Sequence, residues 1–207
     1  MIYEVTLVTS TDLSSDELTK ISDIVKETSQ SFNGDIMVQD DWGVLKLAQP
    51  TSTGVLKGHF LFFIVKGDSK MNTELVRRFR ITESIMKHLI IKKCADDKAD
   101  SILKGLKTPF SSKYPGSVTD VEESENSDGD SSRRFSRRKS CWFSARQIVA
   151  DYKDPKTYVW LVNEFGKISP ARSSSIARRH QRNAVEAIKR ARQLGLISHM
   201  SNQVAEK

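Results

Sequence analysis

Arginine and lysine recur between Ile176 and Leu194 at a spacing that sorts them onto one side of a helix. At about 100° per residue, Arg178, Arg179, Arg182, Lys189, Arg190 and Arg192 share one flank. Ile176, Ala177, Ala184, Ala187, Ile188, Ala191 and Leu194 fall within an opposing arc of about 120°. A guanidinium is a planar fork of donors that fits a pair of phosphate oxygens, so a row of them suits a polyanion. Glu186 stands four residues from both Arg182 and Arg190, where its carboxylate can orient their side chains. The alanines on the other flank permit close packing against protein. A membrane surface would instead call for bulky apolar residues there.

The same chemistry extends upstream. RRFSRRKSCWFSARQ opens with Arg133, Arg134, Arg137, Arg138 and Lys139, interleaved with Phe135 and followed by Trp142 and Phe143. Cations beside flat rings suit phosphates and exposed bases, although Trp142 and Phe143 are read here as anchors of a small core. Lys167 and Arg172 complete the candidate cations. Residues 133–207 hold 17 Lys+Arg against 5 Asp+Glu, while 1–110 balance at 15 against 15. Such an excess repels itself in a small fold, and a nucleic-acid partner that neutralises it is the natural reason to keep it.

Other chemistries find little support. His59 and His88 lie on expected strands with no nucleophile or carboxylate at a useful spacing, and Asp40 and Asp41 should point to opposite sheet faces. No phosphate-binding loop, His/Cys cluster or paired acids in a pocket-like context is present, so no enzyme is expected. Cys141 has no nearby Cys or His, so no metal site or cofactor is expected. Cys94 and Cys141 cannot make a disulfide framework, which points to a reducing compartment. No apolar run is long enough for a membrane span. MIYEVTLV reads as a first strand rather than a signal peptide.

Three regions must position these groups. In 1–94, alternation over Ile2 to Thr9 predicts a strand, and Leu18, Ile21, Val25, Thr28 and Phe32 predict a helix starting near Asp12 or Ser14. Asn33-Gly34 ends it. A second strand, interrupted near Trp42-Gly43, a third over Phe60 to Val65, a helix on Met71, Leu75, Val76 and Phe79, and a strand over Ile85 to Ile91 follow. The order βαββαβ is the ferredoxin-like arrangement, so the fold class is α+β. Residues 95–132 read as a flexible, acidic, Ser-rich linker; Ser111 to Ser132 carry one Lys and six acids. Residues 133–207 read as a small, mostly helical basic domain. There Asp154-Pro155 opens a helix with Tyr158, Leu161, Val162 and Phe165 on its apolar face, and Gly166 stops it.

Three stretches, RRKSCWF, DYKDPKTYVWLVNEFGKISPARS and ARRHQRNAVEAIKRARQLGL, resemble bacterial small-subunit ribosomal protein eighteen. In the first region, DDWG, LeuLysLeuAlaGlnPro and VRRFRITESIMKHLIIKK are similar to small-subunit ribosomal protein six. The resemblance implies a fusion of two proteins that pair with each other. It implies binding to the central domain, or platform, of small-subunit ribosomal RNA beside protein fifteen, in a ribosome-associated, cytoplasmic setting. It also implies intramolecular contact between the halves. Arg137, Arg138, Lys139, Lys167, Arg172, Arg178, Arg179, Arg182, Lys189, Arg190 and Arg192 would be the main RNA ligands. The sequence departs from the two patterns at Val44, Leu45 and Gln49, at Ser174-Ser175, and at Ile197-Ser198. A free regulatory RNA- or DNA-binding protein is the alternative.

Overall fold

The structure is a computed structural model in which residues 1–51, 54–94, 99–117 and 141–200 are described. Strand β1 (Ile2–Thr9) leads into helix α1 (Ser15–Ser31), then β2 (Asp35–Lys46), β3 (Lys57–Lys66), α2 (Ser69–Ile81) and β4 (Ile85–Cys94). Ser14 starts α1 with a capping box: its hydroxyl accepts from the Glu17 amide, while the Glu17 carboxylate accepts from the Ser14 amide. Asn33 adopts φ 53° and turns the chain toward β2. The four strands pair antiparallel in the order β2-β3-β1-β4, which is the ferredoxin-like topology. The expected interruption of β2 is a bulge between Asp41 and Gly43, with Gly43 at φ 72°.

Alternation along the central strands sends side chains to two different cores. Tyr3, Val5, Leu7, Leu61, Phe63 and Val65 pack under Ile21 and Val25 of α1 and Met71, Leu75 and Phe79 of α2. Ile2, Val8, Phe60, Phe62 and Ile64 face the other way. There they meet Phe143, Tyr152, Tyr158, Leu161, Ala184, Ala187, Ile188, Ala191 and Leu194 from the C-terminal half. The C-terminal half is therefore the third layer of the fold, laid over the sheet face that α1 and α2 leave open.

Two expectations are corrected. The region 95–132 is not a plain tether throughout. Within it, α3 (Ala99–Lys104) and the chain to Ser117 pack on the body. Leu106 is buried, Phe110 lies 5.8 Å from Trp42, and Lys113 Nζ donates to the Gln39 carbonyl at 3.0 Å. Those apolar side chains give 99–117 enough surface to bury; the acid-rich run EESENSDGDSS lies outside the described residues. The helix expected from Pro155 is instead two 3-10 turns, Pro155–Thr157 and Val159–Leu161. Tyr158 breaks them apart at φ −142°, and Phe165 turns out to solvent at 76% exposure.

Candidate nucleic-acid interface

The C-terminal half begins with α4 (Trp142–Ala145) and, after the 3-10 turns, continues through α5 (Ala171–Ser174) into α6 (Arg178–Leu194). Helix α6 starts two residues later than the expected Ile176, because Ala177 is still extended and acts as the N-cap. Its buried positions are Ala184, Ala187, Ile188, Ala191 and Leu194, as the spacing required. The small alanine side chains bring the helix axis close to the sheet, and the helix end is fixed there by two bonds. Gly195, at φ 81°, offers its carbonyl to the Ala48 amide at 2.8 Å, and Gln193 Nε2 donates to the His88 carbonyl at 3.3 Å. A side chain at 195 would meet Leu47 at 3.1 Å.

With that flank docked, Arg178, Arg179, Arg182 and Lys189 stand exposed on the opposite side. Arg190 is half-buried and pairs with Glu186 at 3.3 Å. Lys167 and Arg172 are also exposed, on segments tied to α6. Gln181 Nε2 donates to the Ser169 carbonyl at 2.8 Å, which fixes α5 and Arg172 beside the first turns of α6. Arg192 is the exception among the expected ligands. It donates through Nε to the Ser198 carbonyl at 3.1 Å and through Nη2 to the Gly166 carbonyl, and burial lowers its pKa. Its guanidinium braces the turn that carries Lys167. Arg133, Arg134, Arg137, Arg138 and Lys139 lie outside the described residues.

A buried charge cluster, which no local pattern announced, joins the halves. Glu4 sits on the β1 face that the C-terminal half covers. Lys153 Nζ reaches its Oε1 at 2.8 Å and Asp151 at 3.4 Å; Lys93 Nζ reaches its Oε2 at 3.0 Å. The Tyr152 hydroxyl donates to Glu4 at 3.1 Å and lies 3.2 Å from Thr6 Oγ1. Burial by itself would raise the Glu4 carboxyl, but Lys153 and Lys93 outweigh it and hold the group below its ordinary value. Burial would likewise lower Lys153, and Asp151 with Glu4 reverses this to a raised value. Lys153 thus belongs to the interior, although it counted toward the basic excess.

The remaining candidates serve the framework. Trp42 is buried and stacks on Phe62 at 5.1 Å, as expected for packing at the bend. His59 does find a carboxylate, Asp41 Oδ1 at 2.6 Å, through cross-strand pairing that sequence spacing hid. The same Oδ1 accepts from the Gly43 amide at 2.7 Å, so the contact braces the bulge. Cys94 and Cys141 are free thiols, and hydrogen bonds from the Ala177 amide and from the Ser144 hydroxyl and amide hold Cys141 below its usual range against the opposing effect of burial. Among the described residues no three His, Cys, Asp or Glu side chains converge, and no helix is long and apolar enough to cross a membrane.

Two parts of the chain match known protein families. Small ribosomal subunit protein bS18 of Geotalea daltonii is 41% identical over 91 residues, which is 43% of this chain and 100% of that protein. The chain belongs to the bS18 family. The bS18 protein of Citrifermentans bemidjiense is 52% identical over 66 residues, covering 31% of this chain and 72% of the relative. The ribosomal protein S18 family profile matches residues 146–197, and the ribosomal protein S6 family profile matches residues 2–92. The chain is thus a fusion of the S6 and S18 ribosomal families, with a structural role in the small subunit. A crystal structure of 30S ribosomal protein S6 from Thermotoga maritima is similar at 18% identity and a TM-score of 0.44, covering 50% of this chain and 96% of that one.

Proposed function

We propose that the fused chain binds the central domain of small-subunit ribosomal RNA at the platform, beside neighbouring ribosomal proteins that include protein fifteen, and catalyses no reaction. One observation carries the reading: α6 is docked by its alanine flank, so Arg178, Arg179, Arg182 and Lys189 stand free together. Lys167 and Arg172 extend this face, and Arg137, Arg138 and Lys139 would add to it from the arm. Arg190, held by Glu186, is an oriented donor at its edge. Arg192 contributes by fixing the Lys167 turn. The contacts are to phosphate and to helix shape more than to base edges.

Six free cations on this face predict a slope of log affinity on log salt of roughly −5 for the intact chain on a central-domain RNA fragment. Changing Arg178, Arg179 and Arg182 to Ala should flatten that slope by about 2 to 3 and weaken binding, with the circular-dichroism spectrum unchanged. Filter binding across a salt series checks this, and unchanged affinity would remove the helix flank from the interface. Sedimentation with small subunits, rather than with free RNA, separates the ribosomal role from that of a free regulatory protein.

A further inference from the structure

Two indole rings meet in the C-terminal half. Trp142 and Trp160 have centroids 5.5 Å apart at 58°. Both rest on Phe143, Trp142 edge-on at 5.0 Å and Trp160 at 6.2 Å. Phe143 is buried and stacks on His180 of α6 at 5.7 Å and 14°. Trp160 Nε1 donates to the Thr157 carbonyl at 3.2 Å, and the Arg146 guanidinium lies 4.9 Å over the Trp142 ring. Trp160 is therefore held in place on several sides, yet it keeps 42% exposure. Packing explains Phe143 in full. It leaves a large part of a fixed indole in water.

The surroundings choose the occupant. Arg146 lies over the Trp142 ring and is exposed, Lys156 stands exposed four residues before Trp160, and His180, which stacks on Phe143, belongs to the first turn of α6. An apolar peptide would find no complement to those charges. An unpaired nucleotide finds a π-face for its base and cations for its phosphates. We propose that Trp160, backed by Trp142 and Arg146, is a stacking platform for an unpaired base of single-stranded RNA whose phosphates run toward the first turn of α6. The proposal rests on the RNA-binding reading above and adds a base contact to its phosphate contacts. Stacking of this kind accepts any base, because every base has a π-face.

The full chain supplies its own reporter. It holds three tryptophans, and Trp42 is buried, so emission changes on adding RNA report on Trp142 and Trp160. Titration with an oligouridylate of about ten nucleotides should quench emission, and an abasic oligomer of the same length and charge should not. Trp160→Ala should weaken oligouridylate binding about tenfold, while Trp160→Phe should stay within about threefold of the parent. All three proteins should keep the same salt slope, because no phosphate contact is altered. Equal quenching and affinity with the abasic oligomer, or Trp160→Ala within about twofold of the parent, would overturn the platform. The salt slope and its loss in the Arg178, Arg179, Arg182 variant would still uphold the cationic face. Absence of any salt-dependent RNA binding by the parent would sink both.

Discussion

The two faces of the one β-sheet are built in different ways. The face under α1 and α2 is closed by helices adjacent in sequence, and its cluster from Tyr3 to Ile85 is apolar. The face under α6 is closed by residues about a hundred positions away, and among its aliphatic and aromatic side chains it buries Glu4, Lys153, Thr6 and Tyr152. The first face is held mainly by apolar area, its buried hydroxyls at Thr28 and Ser29 being bonded back to their own helix. The second adds a charge complement that only a correctly seated partner layer can satisfy, since a buried carboxylate without its lysine is strongly unfavourable. The difference teaches that the first face makes a domain, whereas the second makes an interface, even though one chain now supplies both sides.

The sharpest way to break this contrast uses neighbouring residues of β3. Phe63 enters the α1/α2 core and Phe62 enters the shared core, and each truncation to Ala should cost about 3 to 5 kcal/mol. Phe63→Ala should collapse hydrogen-exchange protection in β1, β3, α1 and α2. Phe62→Ala should release protection mainly in residues 141–200 and leave α1 and α2 protected. Identical protection maps would refute the division into domain and interface.

A smaller effect is expected at the charge cluster. Lys153→Met leaves Glu4 with only Lys93 and the Tyr152 hydroxyl as partners and should destabilise the docked state by about 3 kcal/mol. Adding Glu4→Met should recover most of the loss, which denaturant melts of the single and double variants can measure. A double variant as unstable as the single one would show that packing, and not charge pairing, holds this spot.

The smallest effect is the pH dependence that the buried charge cluster adds at the second face. The folded-state pKa of Glu4 lies below its ordinary 4.5, so its contribution is complete above that value and drains away as pH falls from 4.5 through the folded value. Lys153 is raised above 10.5, so its contribution is complete below that value and is lost as pH rises through the folded value. Acid should therefore loosen 141–200 first, read as a rise in proteolytic cleavage there. The double Met variant should not share that acid sensitivity.

Legibility in the sequence followed the range of the forces involved. The order βαββαβ was readable because alternation and 3.6-residue spacing are local, and the docked and free flanks of α6 were readable for the same reason. Phe165 was misplaced because the helical run ends at Leu161 and Val162 is extended, so the expected helical phase never reaches position 165. Arg192 looked like its neighbours until the turn at Gly166 and the tail at Ser198 folded back onto it. Residues 99–117 passed for a tether because their few apolar anchors, Leu106 and Phe110, have no period of their own.

Composition and spacing alone determined that this chain carries a ferredoxin-like unit and a basic helix with one docked flank and one cationic flank; its motifs further resemble those of two ribosomal families. Tertiary structure alone decided which sheet face receives that helix, that Lys153 is spent on Glu4 149 residues away, and that two tryptophans share one exposed surface. The reason is physical. Local periodicity records which side of an element avoids water, but partners brought together by chain closure leave no mark on the spacing of either one.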